Sequence, residues 1–112
     1  MVNAPLMFKT LDHIDAHPDE YNQGEWATKG PCGTVACFAG TAVMLAGHEF
    51  DFRYEDVDAT DVVKDGRSIR EVARLELGLT FDQGEVLFYG GNSLDDVREL
   101  VHAYTAELVA AT

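Results

Sequence analysis

Gly30-Pro-Cys-Gly-Thr-Val-Ala-Cys-Phe-Ala-Gly-Thr-Ala-Val-Met-Leu-Ala-Gly47 is the stretch on which the fold turns. Gly30-Pro31 interrupts whatever precedes it, and from Thr34 onward the apolar run predicts a helix that ends where Gly47 can turn left-handed. Ala36, Ala39, Gly40, Ala42 and Ala46 keep that helix slim on every face, so neighbours can approach it from more than one side. Glycine inside a helix costs about 1 kcal/mol relative to alanine, and Gly40 is therefore read as a point of close approach by another backbone. The segment predicts the central helix of a mainly α domain.

On its N-terminal side, Leu6, Met7, Phe8, Leu11 and Ile14 recur at helical spacing, predicting a first helix over residues 5–16 with Pro5 in its opening turn. His17-Pro18 ends it. Residues 19–29 read as a polar connector holding Tyr21 and the single tryptophan, Trp26, which either covers the edge of the core or flanks a cleft beside the start of the central helix.

On its C-terminal side, residues 49–65 carry seven carboxylates against Arg53 and Lys64. Phe50, Phe52 and Tyr54 alternate as in a strand, and Val62-Val63 before Lys-Asp-Gly reads as a second one, so a short β-ribbon or an acidic loop is expected between helices 2 and 3. Ser68 to Glu71 forms a capping box that opens a third helix ending at Gly78, with Ile69, Val72, Ala73, Leu75 and Leu77 as its apolar face. Thr80 to Gln83 repeats the device for a short fourth helix running to Tyr89 and closed by Gly90-Gly91. Ser93 caps the last helix, whose stripe is Leu94, Val97, Leu100, Val101, Tyr104 and Leu108, with His102 off the stripe. The expectation is one domain over 1–112, of about five helices around a central small-residue helix.

Composition narrows the functional classes. The 112 residues are 46% hydrophobic, and 20 acidic against 8 basic residues leave a net charge of -12. Such a field repels nucleic acid and anionic lipid, which argues against direct nucleic-acid binding. No secretory leader pattern opens the chain, and its longest apolar run falls short of the ~18 residues of a membrane span. A cytoplasmic protein with reduced thiols is expected.

Cys32 and Cys37 are the residues with the most chemistry. A cysteine at a helix N-terminus is acidified by the helix dipole, so Cys32-Gly-Thr34 invites comparison with the nucleophile helix of papain-like hydrolases. The comparison has no base placed by sequence: His48 lies past the far end of the expected helix, His13, His17 and His102 would reach the thiol only through tertiary packing, and no sequence is set aside for the sheet on which such enzymes pack. Two cysteines five apart in one helix would hold their Cα atoms about 8 Å apart, too far for a disulfide, and the pair does not have zinc-site spacing. Cys37 also fits the helix as a small apolar residue. His13 and His17 lie four apart, the spacing of two metal ligands on one helical face, but no third ligand is placed by sequence and both read as polar residues near a helix end. Asp56, Asp58 and Asp61 fail the spacing of a calcium loop, which would need glycine at Asp61 and glutamate at Arg67. Neither a metal nor a cofactor is expected.

Trp26, the run Cys32-Gly-Thr-Val-Ala-Cys-Phe-Ala-Gly40, Leu77-Gly-Leu79 and Leu87-Phe-Tyr-Gly-Gly-Asn-Ser-Leu-Asp-Asp96 together resemble a family of small uncharacterised proteins from actinobacteria and their phages. Thr41 departs from the family pattern, in which a tryptophan often follows Ala-Gly. The resemblance implies a phage or actinobacterial cytosolic setting, transfers no activity, and makes Trp26, Cys32, Thr34, Cys37 and Asn92 the candidate binding residues.

Elimination then favours a non-enzymatic binding or regulatory protein, a phage accessory factor that engages a host protein bearing a basic surface. Two other readings stand beside it: a small cysteine-dependent enzyme using Cys32, and an acidic mimic of DNA.

Overall fold

The computed structural model describes residues 2–30, 33–52 and 59–110. Five helices, α1 (Ala4–Ala16), α2 (Phe38–Leu45), α3 (Ile69–Leu77), α4 (Phe81–Leu87) and α5 (Leu94–Ala110), accompany three short strands, β1 (Ala27–Gly30), β2 (Gly33–Ala36) and β3 (Ala59–Thr60). A 3-10 turn at Pro18–Glu20 follows α1. The mainly α reading holds. Its helix boundaries hold where the capping chemistry is local: Asn3 caps α1, Ser68 caps α3, and Thr80 with Gln83 forms a reciprocal box on α4. Ser93 and Asp96 do the same for α5. At α3 only half of the expected box forms, because the Glu71 carboxylate turns instead to Arg74 at 2.6 Å.

The expected central helix fails at its first turn. Residues 33–36 are strand, Cys37 is the N-cap, and α2 has only eight residues. Nor do all the helices surround it, since α2 packs mainly on α1 and α3 whereas α5 packs on α1 and α4. The polar connector is corrected as well. Its last residues form β1, which pairs antiparallel with β2 in the register Ala27↔Ala36 to Gly30↔Gly33 and with β3 along its other edge, giving the order β2-β1-β3. Hairpin closure between two glycines, with Thr28, Thr34 and Val35 supplying β-branched side chains, outweighs the helical tendency of the alanines. Residues 31 and 32, between those glycines, lie outside the described residues, as do Tyr54, Asp56 and Asp58 of the acidic segment. Among the described residues the ribbon expected there survives as the antiparallel bridge Phe50↔Val63, flanked by Asp51 N–H to Val62 O and Lys64 N–H to Glu49 O, both 3.0 Å, with a further bridge Val62↔Ser68 beyond it.

The hairpin and α2 are locked by close approach. A Cβ on Gly40 would overlap the Trp26 carbonyl oxygen and lie 2.8 Å from Ala36 Cβ. The first turn of α2 therefore rests directly on the backbone of Trp26, so the expectation for Gly40 holds, with the residue leading into β1 rather than a helix as the partner. Phe38, Ala39, Ala42 and Val43 meet Met7, Ile14, Ile69, Val72, Ala73 and Leu77 in the core. Within the helix faces the pattern misassigns two residues. Met7 is fully buried while Phe8 is 38% exposed against the His102 ring, and Leu75 is 54% exposed.

Candidate binding site at Trp26

The segment from Tyr21 to Trp26 is held against the hairpin and the start of α2 by its backbone. Asn22 N–H donates to Ala36 O at 3.0 Å, and Cys37 N–H donates to Glu25 O at 2.7 Å. Between these bonds lies Gln23, whose amide is buried and fully used. Its Oε1 accepts from the Tyr21 hydroxyl at 2.7 Å and from Phe38 N–H at 3.1 Å. Its Nε2 donates to Leu87 O at 3.2 Å and to Tyr89 O at 3.3 Å. One side chain thus satisfies a donor at the N-terminus of α2 and bonds one carbonyl at the C-terminus of α4 and another in the turn that follows it. Asn92 grips the same turn from the far side, donating to Val86 O at 2.8 Å and Leu87 O at 3.3 Å.

Trp26 stands half-buried on this platform and meets Phe88 edge to face, ring centroids 6.3 Å apart at 79°. It walls two hollows of about 240 Å³ each. Gln23, Gly24, Cys37, Phe88 and Gly90 complete one, and Asp61, Ser68 and Arg70 complete the other. Small-molecule sites usually enclose ~300–1,000 Å³, so each hollow suits a single inserted side chain better than a metabolite. Tyr89, 64% exposed, rises beside the first hollow with its ring lying over Gly91.

The thiol in the first hollow is poorly placed for nucleophilic chemistry. Cys37 Sγ accepts from Gly40 N–H at 3.4 Å as a helix cap, and the helix dipole favours its thiolate. Burial opposes this and wins, pushing the thiol from its ordinary 9.0 up to about 11, with the backbone N–H groups of Gly40 and Ala39 only partly offsetting it. Burial likewise raises Tyr21 from 10.0 to about 12, with the nearby Cys37 adding to the effect. Both groups are thus held neutral in the folded state. Their contribution to stability is complete below the unfolded pKa values and is lost as pH rises through the folded ones. For Cys37 the loss between pH 9.0 and about 11 amounts to about 2–3 kcal/mol. Urea midpoints should accordingly fall inside this window, while Cys37 resists alkylation near neutral pH until the chain unfolds. Rapid alkylation of Cys37 in the native state would contradict that account.

Of the residues singled out by sequence, Trp26 and Cys37 share a hollow, and Asn92 braces the turn that forms its rim. Thr34 sits in β2 opposite Lys29 and lines neither hollow. Cys32, the candidate nucleophile, lies outside the described residues. His48 was set beyond the far end of one continuous helix from Thr34, and that helix begins only at Phe38. His48 instead meets Glu76 at 3.0 Å. Thr41 is buried and donates to Cys37 O at 2.8 Å. Gln23 was missed. A lone glutamine in a polar connector carries no sequence signal, and only the meeting of three chain segments gives it partners.

No protein-family model, curated protein or solved structure matches the chain.

Proposed function

We propose that this is a non-enzymatic binding protein that docks a protein partner at the Trp26 platform, taking one partner side chain beside Trp26 and Phe88. The observation that carries the reading is the pair of small hollows sharing the Trp26 wall, each of a size for a side chain. Aromatic residues with one exposed face are the usual anchors of protein interfaces, and Tyr89, Phe81 and Val86 stand exposed on or just after α4. Charge supports a partner with a basic surface. Among the described residues, five of the chain's eight lysines and arginines form ion pairs within it: Lys64 with Glu49, Arg67 with Asp65, Arg70 with Glu85, Arg74 with Glu71 and Arg98 with Asp15. The acidic residues nonetheless outnumber the basic ones 20 to 8, leaving a net charge of -12. In the phage or actinobacterial setting implied by the family resemblance, the partner is a host protein and the chain an accessory factor.

Trp26 is the single tryptophan, so its fluorescence reports directly on the platform. The test is quantitative capture from host lysate with the immobilised wild-type chain and with Trp26→Ala, followed by titration of the captured protein. The reading expects a partner whose binding shifts Trp26 emission, weakens at least tenfold in Trp26→Ala, and weakens steeply as salt shortens the Debye length from ~10 to ~3 Å. Binding indifferent to the substitution would remove the platform from the proposal. Binding indifferent to salt would remove the basic partner.

A further inference from the structure

The end of α1 brings together three side chains that no reading above uses. α-Helical spacing sets His13 and His17 on one face, and their ring centroids are 4.6 Å apart. The helix stops at His17, whose N–H closes on His13 O at 2.9 Å. The chain then continues as the 3-10 turn Pro18–Glu20 with Glu20 N–H bonded to His17 O at 3.0 Å. A 3-10 turn has three residues per repeat, so side chains at i and i+3 eclipse. Glu20 consequently lies over His17, with Oε2 3.1 Å from Nδ1. The change of helical period supplies the third ligand that the His-x-x-x-His pair lacks. One donor atom from each of His13, His17 and Glu20 lies within 4.8 Å of the other two.

We propose that His13, His17 and Glu20 form a binding site for a divalent transition-metal ion of the zinc type. Imidazole nitrogen and carboxylate oxygen bind such an ion at about 2.0–2.2 Å, which places two ligands of a tetrahedral ion about 3.3 Å apart. The His17–Glu20 separation of 3.1 Å is already close to that edge, and only His13 must swing inward. Two further features favour a cation. The carbonyl end of α1 carries the negative pole of its dipole, and His17 is exposed while His13 and Glu20 are half-buried, so an ion can enter without the core opening. Three protein ligands leave the fourth position to water or to a group from outside the chain. Bound metal would clamp the joint between α1 and the 3-10 turn, three residues before Gln23.

The test is calorimetric titration of the full chain with zinc chloride in a large excess of magnesium, which occupies ordinary carboxylate sites without taking imidazole. One equivalent of zinc should bind to the wild type, and the affinity should fall at least tenfold in each of His13→Asn, His17→Asn and Glu20→Gln. Cys32→Ser should bind as the wild type does. Circular dichroism of each variant confirms that the fold is intact, and these positions at the helix end leave the core untouched. Zinc that binds only in several weak equivalents displaced by magnesium, or that is lost in Cys32→Ser but kept in His17→Asn, would overturn the assignment.

Discussion

Replacing Gly40 by alanine is expected to destabilise the protein by about 3 kcal/mol, although alanine is the better helix former by about 1 kcal/mol. The two effects have opposite signs, and geometry decides between them. The added methyl would overlap the Trp26 carbonyl oxygen and come within 2.8 Å of Ala36 Cβ. The obstacle is the Trp26 backbone at the entry to β1, so relief requires α2 and that backbone to separate, and the core contacts of Phe38 and Ala39 separate with them. Urea denaturation followed by Trp26 fluorescence should show a lower midpoint with an unchanged slope. An unchanged or raised midpoint would mean that α2 does not rest on the Trp26 backbone, and the platform built there would lose its foundation.

Gln23→Leu is expected to cost about 2–4 kcal/mol, because a side chain of similar volume would leave the buried Phe38 N–H without its partner and take one of two donors from the carbonyls of Leu87 and Tyr89, which keep only Asn92. Three segments lose their common tie: the connector, the start of α2 and the turn after α4. Gln23→Glu separates hydrogen bonding from packing. Its carboxylate can still accept from Phe38 N–H and Tyr21 but faces two carbonyl oxygens that need a donor. Repulsion from those carbonyls would raise its folded pKa above the ~4.3 of an unfolded glutamate, so its stability relative to wild type should be best in acid and should decline as pH rises through the folded value. A Gln23→Leu protein as stable as the wild type would show that water replaces the amide at little cost. In that case Gln23 is not what holds the hollow open.

Both predictions rest on a part of the molecule that sequence reading placed wrongly. Between Gly30 and Gly47 the run of alanines and the closing glycine pointed to one helix from Thr34, and only its second half is helical. The correct signal was present but short: glycines on either side of two residues, with β-branched residues on both arms, mark a hairpin. Alanine is compatible with both readings, and burial of Ala27 and Ala36 in register settles the choice. Misplacing that boundary also misplaced the thiol chemistry. The cap of α2 is Cys37, where burial outweighs the dipole.

Helix ends were legible wherever a side chain closes on the backbone within three or four residues, as at Ser68, Thr80, Ser93 and Gly78, because such bonds need no partner from elsewhere. Gly40 was legible as a point of contact for the same reason, since glycine in a helix is costly unless something fills the space. Sequence alone thus determined the mainly α class, most helix boundaries, the acidic surplus and the residue at which two backbones meet. Tertiary structure alone decided that the partner of Gly40 is the Trp26 backbone leading into β1, that Gln23 joins three segments, and that Trp26 walls two hollows. Each of these depends on the direction in which the chain leaves a turn. That direction is set by packing against residues far away in sequence, of which local pattern carries no record.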